Sequence, residues 1–139
     1  MGKSIMTVFI FLVGMAFGLA QSSESTKNVK HQLLISANQS YRVRYQSHPA
    51  IIPLNQSFDL EVWIKSSAED SEPTFSLWVD ARMPEHRHGM VRQPKIIALG
   101  QGHFRVTGML FHMPGRWELY FDITRDNLTE RARVEVFLE

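Results

Sequence analysis

The stretch Phe58-Asp59-Leu60-Glu61-Val62-Trp63-Ile64-Lys65 alternates without a break. In an extended chain Phe58, Leu60, Val62 and Ile64 leave one side, and Asp59, Glu61, Trp63 and Lys65 leave the other. One apolar and one polar side at a period of two is the pattern of a strand with a buried and a wet face. The same reading extends outward along the chain. Trp117, Leu119, Phe121 and Ile123 alternate with Glu118, Tyr120, Asp122 and Thr124, and Ala132, Val134, Val136 and Leu138 share one side of a last strand. Tyr41 to Tyr45, Phe75 to Asp80, Lys95 to Leu99 and His103 to Phe111 are further strands by composition, and no segment makes a convincing amphipathic helix.

Turn chemistry separates these runs. Pro49 and Pro53-Leu54-Asn55 precede one strand, and the polar run Ser66 to Pro73, with its acidic Ala68 to Glu72 stretch, reads as a solvated loop. Gly100-Gln101-Gly102 predicts a hairpin, Pro114-Gly115 a tight turn, and Arg125-Asp126-Asn127 a terminal hairpin. About seven short strands in about 100 residues predict an all-β, immunoglobulin-like antiparallel β-sandwich. The chain has no cysteine, so the Cys-Trp-Cys signature of antibody domains is absent and the expectation concerns architecture alone.

The first residues point to export. Lys3 is followed by the apolar run Ile5 to Ala20, and Gly18-Leu19-Ala20 sets small residues before the polar Gln21-Ser22-Ser23-Glu24. This is the plan of a secretory signal peptide, an N-terminal signal helix over residues 1–20. Read instead as an uncleaved anchor, residues 5–20 span about 24 Å as a helix, less than a hydrocarbon core of about 30 Å. With no cysteine, a lipoprotein anchor is excluded. Residues 21–39 read as a polar leader and residues 40–139 as one domain. The expected location is the periplasm or outside the cell, with inner-membrane anchoring through residues 5–20 as the alternative.

Fifteen basic and 14 acidic residues leave no net field that favours nucleic acid. The sequons at Asn38, Asn55 and Asn127 carry little weight in a chain this rich in Asn, Ser and Thr. No Gly-rich phosphate loop, Gly-x-Ser-x-Gly elbow or His-Glu-x-x-His helix occurs, so an enzyme is not expected, nor a small organic substrate.

One stretch breaks the alternation: Arg82-Met83-Pro84-Glu85-His86-Arg87-His88-Gly89-Met90. Beyond residue 20 the chain has six His and four Met, and eight of these ten lie between residues 83 and 113. Thioether and imidazole are the copper ligands open to a cysteine-free exported protein; Met suits Cu(I), and imidazole serves both oxidation states. In an extended segment His86 and His88 leave the backbone on one side, with Met83 and Met90 flanking them. His112 or Met113, at the end of the later strand His103 to Phe111, would close the site from below. The candidate ligands are therefore Met83, His86, His88, Met90, His112 and Met113. Met109 reads as core filler. His103 reads as exposed, and His31 and His48 as ordinary loop or strand-edge residues. The opposing reading is a metal-free interaction module whose loop touches a partner and whose open sheet edges accept an added strand.

The order Met83-Pro84-x-His86-x-His88-Gly89-Met90, then Gly102-x-Phe104-x-Val106, then Phe111-x-Met113-x-Gly115-x-Trp117-x-Leu119 resembles the YtkA-like domain family over roughly Tyr41 to Leu138. Those small exported β-sandwiches are related in outline to FixH-type proteins. The resemblance implies copper handling or help in oxidase assembly, with a copper-accepting membrane or envelope protein as partner. It nominates Met83, His86, His88 and Met90. Here Arg87 stands where the family often has Gly, a cation beside the ligands that Glu85 would offset. The Gly115-x-Trp117 pair is explained by structure alone, Gly for the turn and Trp as an inward anchor.

Overall fold

A computed structural model describes residues 32–68 and 74–139. The expected signal segment, residues 1–20, and most of the acidic stretch lie outside the described residues, as does His31. The described chain is all-β, with nine strands and one short 3₁₀ turn. The strands are β1 (Gln32–Ile35), β2 (Tyr41–His48), β3 (Ser57–Ser66), β4 (Ser76–Met83), β5 (His88–Gly89), β6 (Lys95–Gly100), β7 (His103–Leu110), β8 (Gly115–Arg125) and β9 (Leu128–Leu138). They form two antiparallel sheets, one in the order β1-β2-β3-β7-β6 and the other β5-β4-β8-β9. No helix among the described residues is long and apolar enough to cross a membrane.

The alternation read from the sequence is the burial observed. Phe58, Leu60, Val62 and Ile64 of β3 and Trp117, Leu119, Phe121 and Ile123 of β8 are buried and face one another across the core. Phe111 stacks on Trp117 with centroids 4.7 Å apart, and Phe58 meets Phe111 edge-on at 5.1 Å. Val134, Val136 and Leu138 of β9 pack on the core only in part, because β9 is an edge strand. The hairpins form where the turn residues lie. Gln101 and Gly102 join β6 to β7 at positive φ, and Asp126 and Asn127, at φ 50° and 64°, join β8 to β9 as a two-residue turn with both φ positive requires.

Two elements lie outside the seven expected. β1 falls within residues 21–39, the stretch that reads as a polar leader, and pairs with β2 from Gln32 opposite Tyr45 to Ile35 opposite Arg42. At four residues it is too short to show a period, and Leu33 and Ile35 remain exposed. The turn after it reaches the other sheet: the Ser36 hydroxyl donates to Glu130 at 2.7 Å, and the Ala37 N–H donates to the Arg131 carbonyl. β5 is two residues long, below what periodicity can reveal. It pairs Met83 with His88 and Arg82 with Gly89, folding the candidate loop back against β4.

Candidate metal centre

The loop between β4 and β5 and the connection Phe111 to Pro114 lie at the same end of the sandwich, because β4 and β8 run side by side with Arg82 opposite Glu118. Topology therefore brings together residues more than twenty positions apart. The loop itself is not the extended segment expected. Pro84–His86 is a 3₁₀ turn, and Arg87 closes it in the left-handed region at φ 56°, its N–H donating to the Pro84 carbonyl. Proline pre-sets the first turn position, and the left-handed residue ends it. The two-apart spacing of His86 and His88 thus spans a bend rather than a pleat. Their rings nevertheless stay near each other, with centroids 5.8 Å apart.

His88 is the hinge of the cluster. Its ring lies 5.2 Å from that of His112, and both imidazoles stand edge-on to the Trp117 indole, at 6.1 and 5.5 Å. An imidazole nitrogen bound to a first-row metal is about 2 Å from it, so two rings sharing one ion have centroids roughly 5–6 Å apart. The His88–His112 separation falls in that range. The outer nitrogens are also distinguishable. His88 Nδ1 lies 3.1 Å from the Gly89 carbonyl oxygen, and a proton held there leaves Nε2 as the lone-pair donor. His112 Nδ1 is sealed from solvent and has no hydrogen-bond partner. A buried imidazole nitrogen of this kind is what a metal ion would satisfy.

The methionines divide. Met83 is fully buried, and its methyl lies against Gly115, where an added Cβ would stand 3.1 Å from it. Met90 and Met113 are half-buried at the edge of the core, and the Met90 N–H donates to the Ala81 carbonyl. Met109 is fully buried, as expected of core filler. His86 is exposed. Among the described residues no three His, Asp or Glu side chains are gathered to hold a metal ion between them. The donors the fold brings together are a pair of imidazoles, 5.2 Å apart.

Two residues outside the candidate set hold the site in place. Trp117 fixes the turn below it, its Nε1–H donating to the Met113 carbonyl at 2.9 Å. Arg116 ties the loop down. Its Nε donates to Glu85 at 2.7 Å, and its Nη1 donates to Glu135 at 2.7 Å and to Glu118 at 3.2 Å. The Arg116 hydrogen bond holds the Glu85 carboxyl below its usual range, and the bonds that Arg116 donates to Glu85 and Glu135 push its guanidinium up. Glu85 is thus engaged by Arg116, across the strand, rather than by its neighbour Arg87. Trp117 was legible as an inward anchor; Arg116 gave no signal, since its partners come from three separate elements.

The other two histidines among the described residues lie on the other sheet. His103 is half-buried rather than exposed, because its ring stacks on Trp63 at 5.1 Å and its Nε2 meets Glu61 at 2.8 Å. His48, at the end of β2, is exposed and lies 3.5 Å from the other oxygen of Glu61. Comparison with known protein families, with curated proteins and with solved structures finds no match to this chain.

Proposed function

We propose that the domain binds one copper ion at this end of the sandwich and carries it to an accepting protein of the cell envelope. In this reading His88 Nε2 and His112 Nδ1 are the central ligands, with His86 as an outer imidazole. Thioether comes from Met90 or Met113, and Met83 serves mainly as packing beneath them. The observation that carries the reading is the unpartnered, buried Nδ1 of His112 with a second imidazole 5.2 Å away. Two imidazoles and a thioether form a small, soft set, which suits Cu(I) better than harder divalent ions. No paired nucleophile and base stands at the site, so the role proposed is carriage or oxidase assembly, not catalysis.

The sheet orders also support an immunoglobulin-like classification. Reading β2, β3, β7 and β6 as strands A, B, E and D, and β5, β4, β8 and β9 as C′, C, F and G, reproduces that topology. The resemblance to YtkA-like domains and the signal-like residues 1–20 are consistent with an exported bacterial protein, and we place this one in the periplasm. The competing reading, a metal-free interaction module, is favoured by the full burial of Met83.

Site-resolved NMR separates the two. Adding Cu(I) to the chain should shift the imidazole resonances of His88 and His112 and saturate at one equivalent, while those of His48 and His103 stay in place. Equal shifts at all histidines, or none, would leave the interaction module as the reading to pursue.

A further inference from the structure

A cleft of about 540 Å³ opens along one side of the loop, between it and the outer face of β4 and β8. His88, Gly89 and Met90 form one wall, and Arg82, Arg87 and Arg92 stand around it. All three arginines are exposed. Asp80 and Glu118 also line the cleft, but both are already engaged. Glu118 accepts from Arg116 and from the Tyr120 hydroxyl and has Arg133 at 3.6 Å, and Asp80 accepts the Ala81 N–H at 2.8 Å. The arginines of the cleft are not matched in return. Arg82 has only a 4.0 Å approach to Asp80, and Arg87 and Arg92 make no ion pair among the described residues. A chain of formal net charge +1 thus concentrates uncompensated cation beside its His/Met loop.

We propose that this cleft docks an acidic segment of the protein that receives the ion, laying carboxylates along Arg82, Arg87 and Arg92 beside His88. The occupant follows from the shape and the charge. The cleft is open and its cations sit on separate elements, which suits an extended chain of carboxylates rather than one small anion. Rim charges of this kind steer encounter and set orientation more than they add affinity. The left-handed Arg87 fits the same picture. Its backbone is held at φ 56° between the two histidines, and the residue is among those that line the cleft. The identity of the cargo rests on the copper reading, but the docking itself does not.

The test is fluorescence anisotropy of fluorescein-labelled octaglutamate titrated with the full chain at low salt. Arg87→Glu/Arg92→Glu should weaken binding about tenfold, and Arg92→Glu alone, clear of the strained turn, by part of that. Arg42→Glu/Lys65→Glu makes the same charge change on the other sheet and should alter binding less than about twofold. Equal losses in the two double variants would mean a general field and overturn the proposal. So would inorganic phosphate or phosphatidylglycerol vesicles binding where octaglutamate does not. His112→Phe, which lies outside the cleft lining, should keep peptide binding. A chain that binds peptide but no copper leaves this surface standing and removes the copper reading, while one that binds copper but no peptide does the reverse.

Discussion

His112 carries its Nδ1 into the protein without a partner, and a buried polar atom left so costs about 1–3 kcal/mol. That cost gives a test in which stability and binding move in opposite directions. His112→Phe keeps an aromatic ring edge-on to Trp117 and removes the orphaned nitrogen. We expect it to raise the stability of the metal-free chain by about 1 kcal/mol by urea denaturation, while abolishing Cu(I) binding. A stability loss with binding intact would mean that His112 is structural. Gly115 is a second such residue. Its φ is 115°, and a Cβ there would crowd the Met83 methyl, so Gly115→Ala should cost about 1–3 kcal/mol in the same assay. At this scale the sequence was informative about chemistry and silent about convergence. The His/Met clustering singled out His88 and His112, but only the pairing of β4 with β8 makes them neighbours. Met83, equally prominent in the motif, lies wholly inside because β4 still alternates at its last residue.

Among the elements, the strands were legible wherever one face is dry and the other wet. β3 and β8 run within two residues of the ends their alternation predicts. β1, β5 and the 3₁₀ turn were not legible, since each is shorter than the window a period needs. The turn matters most here, because Arg116 anchors it through Glu85. Arg116→Ala should leave the sandwich folded, speed amide exchange at Arg87 and Met90, and weaken Cu(I) about tenfold. The anchor is also sensitive to acid. Arg116 holds the Glu85 carboxyl, and the Tyr120 hydroxyl holds that of Glu118, below the usual 4.5. Depressed carboxyls contribute stability that is present above about pH 4.5 and lost as pH falls through their lowered values. Protection of the Arg87 and Met90 amides in the unsubstituted chain, taken relative to intrinsic exchange at each pH, should therefore fall below that pH, toward that of the Arg116→Ala variant. Identical exchange in the two chains at neutral pH would contradict the anchoring role.

For the molecule as a whole, a domain without disulfides stands on one aromatic and aliphatic core between two sheets. Trp117 is its largest fully buried side chain, and Trp117→Ala should cost about 3–5 kcal/mol and disturb both imidazoles that rest on it. Tyr45 links the core to pH from the other direction. Burial pushes its phenol up to about 12, and its hydroxyl donates to Gln32 of β1. A raised phenol contributes stability that is complete below about pH 10 and lost as pH rises through about 12, so alkaline unfolding should begin in that interval and Tyr45→Phe should flatten it. The two-sheet plan was the most legible feature of all, because β2, β3 and β4 repeat the same alternation from end to end.

The most direct test of the copper site is a competition titration of the chain with Cu(I) against a chromophoric chelator, beside a His88→Ala/His112→Ala variant. A copper site here predicts tight binding of one equivalent that the variant loses at least about a hundredfold. Equal affinity in the two chains, or binding no tighter than free imidazole provides, would contradict it.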